Sequence, residues 1–286
     1  MQKRFATWAM QAAFITEHRI QRDRLEEKVG FRETLLAGKP PLLGHFLFEF
    51  ATPGIGYLVR NAGADFVVLD LEHSAFGFET AKQTVLSARA AGLPIVVRAP
   101  SCERKDLARV CDIGADGVMA PNVESKAQAQ AIIDSVKYVP EGRRGIGQIL
   151  MHDRYRGGAF TDKASAANAA LAVFVQIESV QGVSAASDIA SVPGIDCLWI
   201  GHMDLSSSIG RPADFEHAAF KDSVATVLAA TVAHNKLAGR LARSVDEAIA
   251  LSRAGFQCIA LSTDTQTYQM ALTKGIEAVR AGVEHG

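Results

Sequence analysis

The chain has 286 residues and a mass of 30.6 kDa, long enough for one large α/β domain with a sizeable core. Its 30 basic and 31 acidic residues give a net charge of −1, so no basic field favours nucleic acid or a membrane, and we expect a small-molecule partner. Four scattered cysteines without a CxxC pair argue against a disulfide framework and a zinc site, and they predict a cytoplasmic protein. No apolar run approaches the ~18 residues that a membrane-spanning helix needs.

Residues 1–30 differ in composition from the rest of the chain. The stretch from Trp8 to Lys28 lacks Gly and Pro and spaces its apolar residues in a partly helical manner, so it predicts an N-terminal helical extension. A membrane-surface helix is the alternative, but acids interleaved with the basic residues disfavour it. We expect this extension to pack on the domain or on a neighbouring subunit, or to be partly disordered.

From residue 31 onward, short apolar runs alternate with amphipathic segments. Strands are predicted at residues 43–48, 66–70, 95–98, 117–120, 172–176, 197–200, 237–241 and 257–261. Helices are predicted to open at Thr52-Pro53 and to span residues 78–90, 105–113, 125–136, 181–190, 246–253 and 267–281. Eight strand–helix units predict a closed (β/α)₈ TIM barrel over residues 31–286 rather than an open sheet. No GxGxxG follows the first strand, which disfavours a dinucleotide-binding fold.

A long segment between residues 137 and 170 interrupts this alternation. It contains a turn-rich basic loop around Arg143–Gly147, followed by a polar stretch. Long loops inside compact domains are often functional, so we interpret the segment as a lid or a substrate-facing loop. A surface excursion that merely connects two elements is the alternative.

Polar side chains follow the predicted strands at their carboxyl ends, which form the ligand-binding face of such barrels. Strand two is a buried β-branched run that ends in two acids and an imidazole, and three later strands also end in polar groups. These residues are Asp70, Glu72 and His73 after strand two, Arg98 after strand three, Gln176 and Glu178 after strand five, and Asp204 after strand six. Helix capping is the alternative role for the acids.

These residue types suit enolisation next to a carbonyl group. Glu178 and Asp204, without a local Cys or His cluster, suit a hard divalent ion such as Mg²⁺ or Mn²⁺. Arg98 suits a substrate carboxylate, because a guanidinium group pairs with two oxygens at once. His73 can act as a base or orient a water molecule, because an imidazole titrates near neutral pH.

Several segments together resemble the HpcH/HpaI aldolase family. They are Leu69–His73, Val96–Pro100, Cys111–Ala115, Val175–Glu178 and Ile200–Ser206, which occur in the order and approximate spacing of that family. The resemblance extends from about Phe31 to the C-terminus. It implies a (β/α)₈ barrel and a class II, metal-dependent pyruvate aldolase, similar to 4-hydroxy-2-oxoheptanedioate and 2-dehydro-3-deoxyglucarate aldolases. Such an enzyme reversibly cleaves a 4-hydroxy-2-oxo acid to pyruvate, or a close 2-oxo acid, and an aldehyde.

The resemblance also implies a role for each matched residue. Glu178 and Asp204 would ligate the ion, which would be Mg²⁺, Mn²⁺ or Co²⁺, and Arg98 would bind the 2-oxo acid. His73 would be the catalytic base, acting through a water molecule, with Asp112 as its partner. Asp70, Glu72 and Gln176 would line the layer of side chains around these groups, with Gln176 next to the substrate. The backbone N–H groups of Met203 and Asp204 would hold the substrate carboxylate. The resemblance further implies a homo-oligomer, a hexamer with its last helix exchanged between subunits.

The chain departs from the family pattern at a few positions. His202 stands where the family usually has proline, and it acts either as an added polar contact to substrate or as a simple replacement. Arg240 and Arg243, near the end of strand seven, suggest an acceptor aldehyde that carries negative charge. Two other functions remain open: related enolate chemistry, such as acyl-CoA carbon–carbon cleavage or decarboxylation, and a non-catalytic assembly or binding barrel.

Overall fold

The computed structural model describes residues 30–37 and 40–284, so the predicted helix between Trp8 and Lys28 lies outside the described residues. Eight parallel strands close into a barrel in sequence order, with β1 paired to both β2 and β8. The strands are β1 (Leu42–Leu47), β2 (Phe66–Asp70), β3 (Ile95–Arg98), β4 (Gly117–Ala120), β5 (Ala172–Ile177), β6 (Cys197–Ile200), β7 (Leu237–Ala242) and β8 (Cys258–Thr263). The predicted (β/α)₈ barrel is confirmed, and strand boundaries differ from prediction by two residues at most.

Helices surround the barrel and connect its strands. They are α1 (Phe31–Ala37), α2 (Ile55–Asn61), α3 (Phe78–Ala90), α4 (Arg104–Asp112), α5 (Lys126–Val136), α6 (Phe160–Ala170), α7 (Val180–Ser184), α8 (Ala186–Ala190), α9 (His202–Ser208), α10 (Ala218–Ala233), α11 (Val245–Arg253) and α12 (Asp264–Glu284), with a short 3₁₀ helix at Met151–Asp153. None of the described helices is both long and apolar enough to cross a membrane.

The strands carry two separate apolar layers, because successive side chains point to opposite faces. Val67, Val97 and Val173 belong to the layer between the strands and the helices. The interior layer contains residues such as Val68, Val96 and Phe174. Continuing the interior pattern by two residues along β2, β3 and β5 leads to Asp70, Arg98 and Gln176, so these polar side chains belong to the barrel interior at its carboxyl end.

The first described helix closes the opposite end of the barrel. Phe31 and Leu35 of α1 join the interior apolar layer. Arg32 forms an ion pair with the buried Asp196, at 2.9 Å between Nη2 and Oδ1, just before β6 begins. The carboxyl end of the barrel, where Asp70 and Arg98 lie, is therefore the end that remains available to a ligand.

Helix positions differ from the predictions at several points. The helix predicted to open at Thr52-Pro53 begins at Ile55, with Gly54 as its N-cap. The region predicted as one helix over residues 181–190 is divided into α7 and α8. Helices α1, α6, α9 and α10 were not predicted; α6 and α10 are rich in alanine, and a small apolar residue gives only a weak periodic signal.

The long loop after α5 does not lie over the mouth of this chain's own barrel. It leads from the end of α5 to α6, which precedes β5, so it belongs to the amino-terminal end of the strands. Arg89 joins it to neighbouring turns there, donating to Met151 O at 3.2 Å and to Gly114 O at 2.9 Å. The interpretation as a lid is therefore wrong within this chain, because the loop lies at the other end of the barrel. The sequence analysis did not recognise the helix at residues 160–170, which carries the chain on to β5.

Candidate active site

Two neighbouring strands bring a carboxylate and a guanidinium group together inside the barrel mouth. Asp70 and Arg98 are register partners on β2 and β3, and Arg98 Nε donates to Asp70 Oδ1 at 2.7 Å. The same carboxylate accepts the backbone N–H groups of Glu72 and His73, each at 3.0 Å. Asp70 therefore holds both the arginine and the loop that follows β2.

Arg98 is surrounded by partners on several sides. Its Nη1 atom lies 3.0 Å from Glu72 Oε2 and donates weakly to Gln176 Oε1 at 3.5 Å. The Cζ atom lies 5.6 Å from the ring centre of Phe46 and 5.8 Å from that of Phe48. No hydrogen bond joins Nη2 to any residue within 30–37 and 40–284, so this nitrogen remains available to a substrate oxygen.

Glu178 lies next to Arg98 and Gln176, just beyond β5. Gln176 Nε2 donates to Glu178 Oε2, and the backbone N–H of Asn122 donates to Glu178 Oε1 at 2.7 Å. Asn122 has a φ of 45°, a conformation that asparagine tolerates better than most residues. Two hydrogen bonds thus orient the carboxylate while leaving further lone pairs for another partner.

Asp204 approaches the same place from the next strand. It lies in the first turn of α9, after Gly201, and its side chain is exposed. A Cβ atom at residue 201 would collide with Glu178 and Gln176. Glycine is therefore required at residue 201 for the close approach of β6 and Glu178.

Negative charge accumulates at this point of the mouth. Burial, together with the charges of Glu72 and Asp204, raises the pKa of Glu178 to about 7. Burial also raises the pKa of Glu72, with Asp70 and Asp204 adding to the effect and Arg98 opposing it. Three carboxylates thus lie within electrostatic range of one another, and a bound cation would relieve their repulsion.

The donor set fits a hard divalent ion that keeps water or substrate oxygens among its ligands. Glu72 Oε2 is buried and, despite its ion pair with Arg98, lacks a hydrogen bond within the described part of the chain. No group of three or more His, Cys, Asp or Glu side chains among residues 30–37 and 40–284 is arranged to hold a metal by itself. Glu178 and Asp204, the two ligands that the sequence predicts, would leave the other positions around the ion to water or substrate oxygens, as is common for Mg²⁺.

His73 lies at the rim of the mouth and is accessible. Its side chain is 56% exposed, and Nε2 lies 3.7 Å from Glu72 Oε2. This placement leaves the imidazole free to exchange protons with a ligand or with water.

Asp112 is not brought to His73 within this chain. It is the last residue of α4, a helix that runs back from the mouth, and its Oδ1 pairs with Arg144 Nη2 at 2.6 Å. Its role as partner of His73 stays a prediction.

Arg240 on β7 and Arg243, just after its last residue, contact the ring of Phe215, as does His202 of α9. Arg240 follows Ala238 on the outer face of β7 and pairs with Glu247 at 3.0 Å, as Arg243 does at 2.9 Å. The buried ring of His202 lies 5.3 Å from that of Phe215, and burial with the charge of Arg240 lowers its pKa to about 4. This arrangement argues against Arg240 as a contact for an anionic aldehyde.

Sequence reasoning missed Phe46, Phe48, Asn122 and Gly201 as parts of the site. The phenylalanines follow the period of a strand with an interior face, and this pattern was the only signal available for them. Asn122 acts through its backbone, and Gly201 through the absence of a side chain, so neither carries a chemical signal.

Comparisons with known proteins agree with this geometry. A family model described as HpcH/HpaI aldolase/citrate lyase matches residues 51–271. A hydroxypyruvate/pyruvate aldolase of Paraburkholderia phytofirmans is 33% identical over 247 residues, covering 84% of this chain and 94% of its own. A 5-keto-4-deoxy-D-glucarate aldolase of Shigella boydii is 30% identical, covering 74% and 82%. The crystal structure of an HpcH/HpaI aldolase from Desulfitobacterium hafniense matches with a TM-score of 0.82 at 27% identity, covering 88% of this chain and 97% of that one. The chain belongs to the HpcH/HpaI aldolase/citrate lyase family, whose aldolases are carbon–carbon lyases.

Proposed function

We propose that this protein is a metal-dependent aldolase that reversibly cleaves a 4-hydroxy-2-oxo acid to pyruvate, or a close 2-oxo acid, and an aldehyde. The observation that carries the proposal is the convergence of Glu72, Glu178 and Asp204 beside a buried arginine, with an accessible imidazole at the rim. The names of the two aldolase relatives support the same reaction class.

Arg98 would bind the carboxylate or oxo group of the substrate through its available Nη2. The backbone N–H groups of Met203 and Asp204 would hold the substrate carboxylate, because the first intrahelical bond of α9 begins only at Leu205 N. Gln176 orients Glu178 and faces Arg98, so it would maintain the relation between the two binding groups. Asp70 and Glu72 hold Arg98 from the other side.

Glu178 and Asp204 would hold a divalent ion, Mg²⁺ or Mn²⁺ with Co²⁺ as a further possibility, which would stabilise the negative charge that develops on the oxo group. His73, through a water molecule, would take the proton of the 4-hydroxyl group as the C3–C4 bond breaks and the aldehyde leaves. Return of a proton to C3 then gives the 2-oxo acid. Asp112 would assist His73 only if another copy of the chain presents it, since the two residues lie apart here.

We further propose a cytoplasmic homo-oligomer that acts on small molecules rather than on nucleic acid or membranes. Helix α12 supports the assembly, because Met270, Val279 and Val283 are exposed along it. A hexamer is the expected state, and light scattering coupled to size-exclusion chromatography would test it.

The central test is an aldehyde-panel assay with pyruvate, run with and without Mg²⁺, Mn²⁺ and Co²⁺. We expect metal-dependent carbon–carbon bond formation and chelator-sensitive exchange of pyruvate methyl protons in D₂O. Exchange without turnover of any aldehyde would favour related enolate chemistry, such as acyl-CoA cleavage or decarboxylation, which the citrate lyase part of the family description keeps open. No exchange under any condition would favour a non-catalytic barrel.

A further inference from the structure

One buried carboxylate at the start of α12 gathers the backbone of the loop that follows β1. Asp264 is 5% exposed, and its Oδ2 accepts from Glu49 N at 2.9 Å and from Phe50 N at 2.7 Å. Phe48 N lies 3.1 Å from each carboxylate oxygen, and Thr265 N donates to Oδ1 at 2.8 Å. Three consecutive N–H groups bound to one carboxylate leave the loop little freedom, because charge-assisted hydrogen bonds are strong.

The same loop carries an aromatic wall that faces the substrate arginine. Phe48 stacks on Phe46 with ring centres 5.5 Å apart, and both rings lie within cation–π distance of the Arg98 guanidinium. A second tie between the loop and α12 is the edge-to-face contact of Phe50 with Tyr268, at 5.6 Å. The position of this wall is thus set from α12, not from β1 alone.

We propose that Asp264 is a positioning residue that fixes where Arg98 presents its free guanidinium nitrogen to the 2-oxo acid. Asp70 and Glu72 hold Arg98 on its Nε and Nη1 side, and the phenylalanine rings limit the remaining movement of the guanidinium plane. Without the Asp264 contacts, the loop and Phe48 shift, and the arginine loses its second wall. The proposal deepens the proposed aldolase function and rests on it for its kinetic consequence.

The test is a set of variants of the full-length protein. Asp264→Asn keeps the side-chain size but removes the charge and replaces one acceptor oxygen with a donor, so its single amide oxygen, with two lone pairs, cannot accept all three loop N–H groups and Thr265 N as well. We expect the KM for the 2-oxo acid to rise roughly tenfold while the KM for the aldehyde stays within about twofold. Phe48→Leu should reproduce this effect, and the conservative Phe48→Tyr should retain the wild-type KM.

Asp65→Asn is the matched control. Asp65 Oδ2 accepts the N–H of Leu43 at 2.9 Å. Leu43 lies at the amino end of β1, whereas the loop that Asp264 binds follows the carboxyl end of that strand. This variant should lower thermal stability without changing either KM. If Asp264→Asn behaves in the same way, the residue is merely structural and the proposal is overturned.

Crystal structures of the Asp264→Asn variant and of the wild type separate this proposal from the proposed function. If the wild type turns over no 2-oxo acid, the aldolase function fails, and the structures still decide the positioning role. A displaced Phe48 ring and a reoriented Arg98 would support that role. An unchanged distance between them would reject it.

Discussion

Asp70 and Arg98 face each other across the β2–β3 ladder and form an ion pair of 2.7 Å inside the barrel mouth. Asp70 is fully buried and also accepts the N–H groups that begin the His73 loop. One carboxylate therefore ties together the substrate arginine and the proposed base. Its removal tests the site and the fold together.

Asp70→Asn should destabilise the protein by about 3 kcal/mol, because it leaves a buried guanidinium without its main counter-charge. Urea denaturation measures the change in the free energy of unfolding. Asp134→Asn is the control, since Asp134 pairs with the exposed Arg143 at 3.7 Å and should cost less than about 1 kcal/mol. Equal losses in the two variants would contradict the importance of the buried pair.

Arg98→Lys should raise the KM for the 2-oxo acid roughly tenfold to a hundredfold, because an ammonium group cannot keep the Asp70 and Glu72 contacts and also bind a substrate oxygen. Steady-state kinetics with varied 2-oxo acid provide the measurement. Arg60→Lys, on the exposed surface of α2, should leave the kinetics unchanged. A rise in the aldehyde KM alone would assign Arg98 to the other substrate.

Glu178→Gln should weaken Mn²⁺ binding at least about a hundredfold, since the loss of a ligand exceeds the usual cost of losing a ligand's supporting contact. Titration calorimetry with Mn²⁺ measures this effect without relying on activity. Glu124→Gln is a neighbouring control, because the Glu124 carboxylate accepts from Ser179 Oγ at 2.6 Å and is not one of the three clustered carboxylates, Glu72, Glu178 and Asp204. Unchanged Mn²⁺ affinity in Glu178→Gln would remove this residue from the metal site.

His73→Asn should lower kcat by roughly 10²–10⁴-fold with little change in either KM, because it removes proton transfer without removing a substrate contact. His234→Asn, at the end of α10, is the control. A variant with normal kcat would exclude His73 as the base.

Stability should increase with pH above neutrality because of Lys137. Burial lowers the pKa of this side chain to about 8, although Nζ donates to Asn168 O and Leu171 O. Lysine in an unfolded chain has a pKa of ~10.4. Between pH 8 and that value, the unfolded state therefore keeps a proton that the folded state has lost, and raising the pH favours the folded state. From pH 8 to pH 10, the free energy of unfolding should rise by roughly 2 kcal/mol relative to Lys137→Met. Denaturant titrations of both proteins at several pH values would measure this difference. If the free energies of unfolding of the two proteins run parallel with pH, the lowered pKa of Lys137 is contradicted.

Much of the fold follows from local patterns in the sequence. A β-branched run such as Val67–Leu69 predicts a strand buried on both faces, and eight such runs with intervening helices predict the barrel. Because the carboxyl ends of parallel strands share one face, Arg98, Glu178 and Asp204 were expected in one place from strand order alone. The comparisons confirmed the family that these segments resemble.

Tertiary structure decided which of these groups touch and which do not. The pairing of Asp70 with Arg98 depends on strand register, and the bond from Asn122 N to Glu178 depends on the path of a loop. The long loop and Asp112 lie away from the barrel mouth, because the helices that precede them return the chain to the amino-terminal end of the strands. Residue periodicity specifies which face a side chain occupies, whereas stagger and loop path determine its neighbours, and only the closed barrel sets these.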